Sequence, residues 1–137
     1  MDRREITLRT GTRPTLVDLT AECHAFLADV AGDADGLLTV FVPHATAGVV
    51  IMELGAGSDE DLLAALERLL SHDDRWEHRH GSPGHGADHV LPLLAGPSVT
   101  IPVVSGRMTL GTWQSVALLD PNGDNRQRTV ELAFLAG

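Results

Sequence analysis

The sequence predicts an α+β fold, a mixed single-domain sandwich built mostly of antiparallel sheet, with two main helices among about six or seven strands. Three observations carry that expectation. Period-two alternation of apolar and polar residues recurs near both ends of the chain, two stretches have helical period, and tight-turn residues join the last strands.

The first segment, ITLRT from Ile6, alternates and reads as a strand. Leu19, Cys23, Phe26, Leu27 and Val30 then recur at helical spacing on one face of a helix that ends near Gly32. Leu38, Val40 and Val42 alternate with Leu37, Thr39 and Phe41, a second strand. PHATAGVVIMEL follows, where a polar interruption makes a corner before the β-branched run Val49 to Ile51. In SDEDLLAALERLL, Ser58 suits an N-cap, three acids occupy the first turn, and Leu62, Leu63, Leu66, Leu69 and Leu70 form the apolar face. From Ser71 to about Gly86 no period is found, and an aperiodic stretch of that length in a compact domain is usually functional or disordered. A short helix is expected from Ala87, limited by Pro92. The rest reads as a meander: PSVTIPVV, a Ser105-Gly106 hairpin turn, RMTLGTWQSVALLD with a bulge or bend at Gly111, the turn PNGDN, and QRTVELAFL.

The 137 residues are expected to form one domain, 1–137. No apolar run approaches the roughly 18 residues of a membrane span, and the charged start lacks the apolar core of an export signal, so a soluble cytoplasmic protein is expected. A net charge of −9 and the lack of a basic cluster argue against nucleic acid as a partner. Arg126 and Arg128, in a turn beside Asp120 and Asp124, read as a solvated loop. Cys23 falls on the helical stripe and reads as a small core side chain. It is the only cysteine, so any metal site must rest on histidine and carboxylate.

Five of the seven histidines fall between His72 and His89, four of them in WEHRHGSPGHGADHV. Imidazole is the commonest side-chain ligand for borderline transition metals, so an aperiodic, histidine-rich segment proposes a metal. The spacings match no signature with a known mechanism, and a solvated histidine loop reads equally well. His24, off the apolar stripe, and His72, after the last turn of the acidic helix, read as structural. His44 differs, because it directly follows a strand and precedes small residues that let backbone approach a ligand. Glu53 and Gln114 are polar residues inside apolar segments and need partners, from a ligand or from backbone.

HATAG, the pair Glu77-His78, His89 ahead of an apolar run ending in Gly96, PSVTIPVVSGR and LGTWQ, in that order, resemble the YjbQ-like family from about Ile6 to Gly137. The resemblance implies an α+β sandwich that commonly forms homotrimers, in a family often described as secondary thiamine-phosphate synthases. It maps the shared histidines onto His44, His78 and His89, a candidate metal set with an open coordination position. His72, His80 and His85 match no shared position and read as local additions. Met52 stands where the family usually has asparagine before Glu53. Glu53 would then orient a histidine or accept a proton, Gln114 would act beside it, and Arg107 in the Gly-Arg hairpin would hold a phosphate. Thr46 in HATAG, and Thr112 with Gln114 on one side of Trp113, would line the substrate pocket.

The sequence thus leads to a metal-dependent enzyme acting on a phosphorylated small molecule, a transferase like thiamine-phosphate synthase or a metal-assisted hydrolase or lyase. Diphosphate chemistry ordinarily uses magnesium with oxygen ligands, whereas three imidazoles favour zinc and water activation. The alternatives are a trimeric metal- or small-molecule-binding protein without turnover, and histidines that serve a subunit interface.

Overall fold

The computed structural model describes residues 1–137. Eight strands form two antiparallel sheets. In the larger, β1 (Asp2–Arg9), β8 (Gln127–Ala136), β3 (Gly36–Phe41), β5 (Ser98–Val104) and β6 (Arg107–Met108) lie side by side in that order. The smaller is β2 (Thr15–Asp18), β7 (Ser115–Asp120) and β4 (Gly48–Met52). Two α-helices, α1 (Thr20–Val30) and α2 (Ser58–Leu69), and a 3-10 helix, His85–Leu93, complete an α+β sandwich as the sequence predicts. No helix is long and apolar enough to cross a membrane.

Alternation decides which face of the large sheet is buried. Leu38 and Val40 of β3 join Val130, Leu132 and Phe134 of β8 in the core, while Leu37, Phe41 and Leu135 stay exposed. Opposite them, Cys23, Phe26 and Leu27 of α1 and Val116 and Leu118 of β7 fill the same core. Each such large apolar side chain contributes roughly 1.5–3 kcal/mol on burial. Cys23 behaves as the packing residue expected, its thiol pushed up to about 12 by burial.

A second core lies on the far side of β7, where Leu119 meets Leu66 of α2, Leu70 at its C-cap, and Ala87, Leu91 and Ala95 around the 3-10 helix. The small sheet is therefore covered on both faces, which is why SVALLD is apolar without alternation. This second core fixes the 3-10 helix and the histidines beside it.

Several local expectations are corrected. Ser58 is the first helical residue of α2, not its cap; Gly57 occupies the N-cap at φ 91°, and the Asp59 carboxylate accepts the Gly55 N–H at 2.6 Å. Leu69 is exposed, because the face turned to the second core is narrower than five leucines. The 3-10 helix begins at His85, two residues before Ala87, and includes Pro92. RMTLGTWQSVALLD is not one strand. It splits between the sheets, and a turn closed by Gln114 N–H to the Gly111 carbonyl at 3.0 Å turns Trp113 out to solvent. Finally, Arg128 is not solvated: it is 2% exposed and paired with buried Asp120.

Candidate metal centre

The aperiodic stretch after α2 is folded by its own polar groups. The Trp76 indole donates to the Ser71 carbonyl at 2.8 Å, and the Ser82 N–H donates to Asp124 Oδ2 at 2.9 Å. Two glycines let the chain double back. Gly84, at φ +80°, sits where a Cβ would come within 2.4 Å of the His72 backbone, and a Cβ at Gly86 would strike Trp76 at 2.5 Å. The return brings the loop histidines, His78 and His80, against His85 and His89 of the 3-10 helix.

Four imidazoles meet there. The His78 ring lies 4.0 Å from both His80 and His89, centroid to centroid, and His85 lies 4.9 Å from His89. Nε2 of His89 is 3.1 Å from Nε2 of His85. One nitrogen from each of His78, His80 and His85 falls within 4.8 Å of the others. Zinc–nitrogen bonds of about 2.0–2.1 Å at tetrahedral angles would separate ligand atoms by about 3.3 Å. Closing the set on one ion would draw the rings together by up to about 1.5 Å. His78 Nε2 is buried and has no hydrogen-bond partner, the state expected of a nitrogen reserved for an ion.

The electrostatics keep two of these rings, His78 and His89, available. Burial, then the neighbouring His80 and His85, pushes the His78 imidazole below its ordinary range; burial, then His78, does the same to His89. A neutral imidazole is the form that binds metal. Asp88, 2% exposed, stands behind the cluster. Its Oδ2 is 3.4 Å from His85 Nδ1, as is Oδ2 of Asp124, and its Oδ1 accepts from His72 Nε2 at 2.7 Å. His72 donates from its other ring nitrogen to Glu67 at 2.9 Å, so both nitrogens face carboxylates. Burial pulls the His72 imidazole down, but the bonds to Glu67 and Asp88 outweigh it and the net shift is upward. Asp88 is raised by burial, against the pull of His72. A cavity of about 300 Å³ opens beside this group, lined by His72, Asp73, His78, Arg79 and Ser82 among others.

Of the expected metal set, the structure brings His78 and His89 together and keeps His44 out. His44 Nε2 accepts the Thr129 N–H at 2.9 Å, and the ring shares in none of the close histidine pairs. Its pKa is lowered by burial and then by the Arg128 guanidinium. The imidazoles that join His78 and His89 are instead His80 and His85, which sequence reasoning set aside. Thr46 is buried, its hydroxyl accepting from Arg128 at 3.0 Å and Asn122 at 2.9 Å, so it is not open to a substrate. Glu53, Arg107, Thr112 and Gln114 are exposed and belong neither to the cluster nor to its cavity; Gln114 is occupied with the Gly111 N–H at 2.8 Å.

Sequence reasoning missed Asp88 and Asp124. Asp88 had a signal, three residues after His85 and one before His89. Asp124 had none, because its approach depends on a chain of turn contacts: Asn122 N–H to Asp120, Asp124 N–H to Asn122, then Ser82 N–H to Asp124.

The family model described as UPF0047 protein YjbQ-like matches residues 4–137. The chain belongs to the YjbQ-like family. Among its YjbQ-like relatives, UPF0047 protein Rv2556c of Mycobacterium tuberculosis is 56% identical over 137 residues, covering 100% of both chains. UPF0047 protein YugU of Bacillus subtilis is 33% identical, covering 96% of this chain and 98% of that one. In structure the fold is similar to hypothetical protein APE1520 from Aeropyrum pernix K1, with a TM-score of 0.90, 32% identity and full coverage of both chains. The YjbQ-like family is one of unknown function, so the chemistry must be argued from the side chains.

Proposed function

We propose that this protein holds a divalent transition metal on His78, His80 and His85, with His89 as the neighbouring fourth imidazole. On this reading it is a metal-dependent enzyme acting on a phosphorylated small molecule. The observation that carries the reading is the convergence of three histidines, with His78 Nε2 buried without a partner. The all-nitrogen donor set favours zinc over magnesium, which takes oxygen ligands. When bound, such an ion supplies Lewis acidity toward a phosphoryl or carbonyl oxygen. Asp88 and Asp124 face His85 Nδ1 from behind at 3.4 Å, the side on which carboxylates stand for ligating histidines. Arg79 gives the adjoining cavity a cation for a phosphoryl group.

Thiamine-phosphate synthase activity, implied by the resemblance, is placed second to a hydrolytic or lyase step, because departure of a diphosphate suits magnesium better. A homotrimer agrees with the exposed Leu37, Phe41, Val104 and Leu135 on the outer face of the large sheet. A second reading, metal binding without turnover, is favoured by His89: four imidazoles on one tetrahedral ion leave no open position.

Elemental analysis of the untagged protein tests the centre, with oligomeric state measured alongside. The wild type is expected to hold one metal per chain, lost in His78→Ala, His80→Ala and His85→Ala and kept in His44→Ala. A metal-free wild type sinks the reading. Metal lost from His44→Ala with the four clustered histidines intact restores the set of His44, His78 and His89.

A further inference from the structure

The chain has no lysine: its ten permanently charged basic residues are all arginines, against 19 acids. Four are paired: Arg3 with Glu131, Arg4 with Asp29, Arg75 with Asp73 and Arg128 with Asp120. Arg9 and Arg126 have no carboxylate partner, yet both line one cavity of about 530 Å³, whose other walls are Gly11, Thr12 and Gln127. No acid and no apolar side chain lines it. In an acidic protein, two guanidiniums gathered without a counter-charge form a local excess of positive charge that an anion would neutralise.

The backbone builds this juxtaposition. Arg9 is the cross-strand partner of Gln127 at the end of the β1/β8 ladder. Just beyond it, the Arg126 carbonyl accepts from both Thr10 N–H at 2.9 Å and Gly11 N–H at 3.2 Å, fixing the loop that follows Arg9 against Arg126. Gly11, at φ +78°, has nothing within 4 Å of where a side chain would project, so that side of the loop is open. The loop is held a second time where Gly123 packs against the Thr12 carbonyl, a contact in which a Cβ would come within 2.8 Å.

We propose that this cavity binds the phosphate monoester group of a small molecule, with Arg9 and Arg126 balancing its two negative charges and Thr12 and Gln127 donating further hydrogen bonds. A carboxylate would neutralise only one guanidinium. A nucleic acid backbone would find acidic surface elsewhere on a chain of net charge −9. The site differs from the histidine cluster and does not depend on it: Asp124 turns toward Ser82 and His85, while Arg126, two residues on, faces this cavity.

The test is calorimetric titration of the full-length protein with inorganic phosphate at low ionic strength, where exposed charges are least screened. Wild type, Arg9→Gln, Arg126→Gln and the double variant are compared, with and without EDTA treatment, and Arg68→Gln is the control for an exposed arginine elsewhere. Each single variant is expected to bind phosphate about tenfold more weakly, as loss of one charge-assisted contact implies. The EDTA-treated double variant is expected to show no binding and Arg68→Gln no change. Melting temperatures and metal content are read on the same samples. Phosphate binding that survives in the EDTA-treated double variant, or that is absent from the wild type, overturns the site. So does binding abolished by EDTA alone, which puts the anion on the metal. Binding that persists in a protein without metal upholds this site while removing the proposed centre.

Discussion

Nε2 of His89 lies 3.1 Å from Nε2 of His85, so two protonated nitrogens cannot face each other there. In the metal-free protein His78 and His89 resist taking up protons, first because of burial and then because of the neighbouring imidazoles. A histidine whose pKa is lower folded than unfolded stabilises the fold above its unfolded value, about 6.5, and loses that contribution as pH falls through the folded value. EDTA-treated protein is expected to lose stability as pH falls below about 6.5, and His78→Gln and His89→Gln should each flatten that limb. Urea midpoints across this range check it; identical pH profiles for wild type and both variants would refute the assignment.

Asp88 is expected to matter for metal affinity without touching the ion. Asp88→Asn keeps the shape but removes the negative charge that faces His85 Nδ1 and His72 Nε2. Loss of a carboxylate behind a ligating histidine typically costs 10–100-fold in affinity, and a weakening of about that size is predicted here. Competition with a chromogenic chelator measures it, and unchanged affinity would mean that His85 is positioned without Asp88.

His72 predicts the opposite pH dependence. Its pKa is raised overall, because the bonds to Glu67 and Asp88 outweigh burial. A raised histidine contributes fully below its unfolded value, about 6.5, and loses that contribution as pH rises through its folded value. His72→Gln should thus cost stability near pH 6 and progressively less toward pH 9, by no more than about 1 kcal/mol, since the ring is partly solvated. Chemical denaturation at the two ends of this range decides it. A cost that is constant with pH would show that the imidazole acts by packing alone.

How much of this was legible in the sequence depended on the range of the interaction. Leu38, Val40 and Val42 announced β3 and its buried face because the period of a strand is local, and Cys23, Phe26 and Leu27 did the same for α1. RMTLGTWQSVALLD misled, since the chain changes sheets at a turn made by a side chain, Gln114, that carries no periodic signal. At the site, residue type pointed to metal, and the aperiodic segment that was singled out does hold the cluster. The choice among histidines was another matter. His44 met the local criteria for a site residue but serves Thr129, whereas His80 and His85 meet His78 and His89 only because Gly84 and Gly86 fold the loop back on the 3-10 helix.

The same limit hid Arg128, whose neighbours in sequence made it a surface residue. Its guanidinium donates to both oxygens of Asp120, at 2.9 and 2.8 Å, and to the Thr46 hydroxyl at 3.0 Å, with 2% and 1% of the two charged side chains exposed. Breaking a buried pair from one side strands the other charge, at a cost of about 3–5 kcal/mol. Arg128→Ala is therefore expected to lower unfolding stability by about that much. The double variant Arg128→Met, Asp120→Leu should recover a large part, because no charge is left buried. Asp120 also accepts the Asn122 N–H at 3.1 Å, the first link of the turn that places Asp124 beside His85. The double variant should accordingly fold well yet bind metal more weakly than wild type. Denaturation and metal titration on the same samples separate the two effects. If the refolded double variant bound metal at full affinity, the turn would hold Asp124 in place by its backbone alone, and the buried pair would serve only stability.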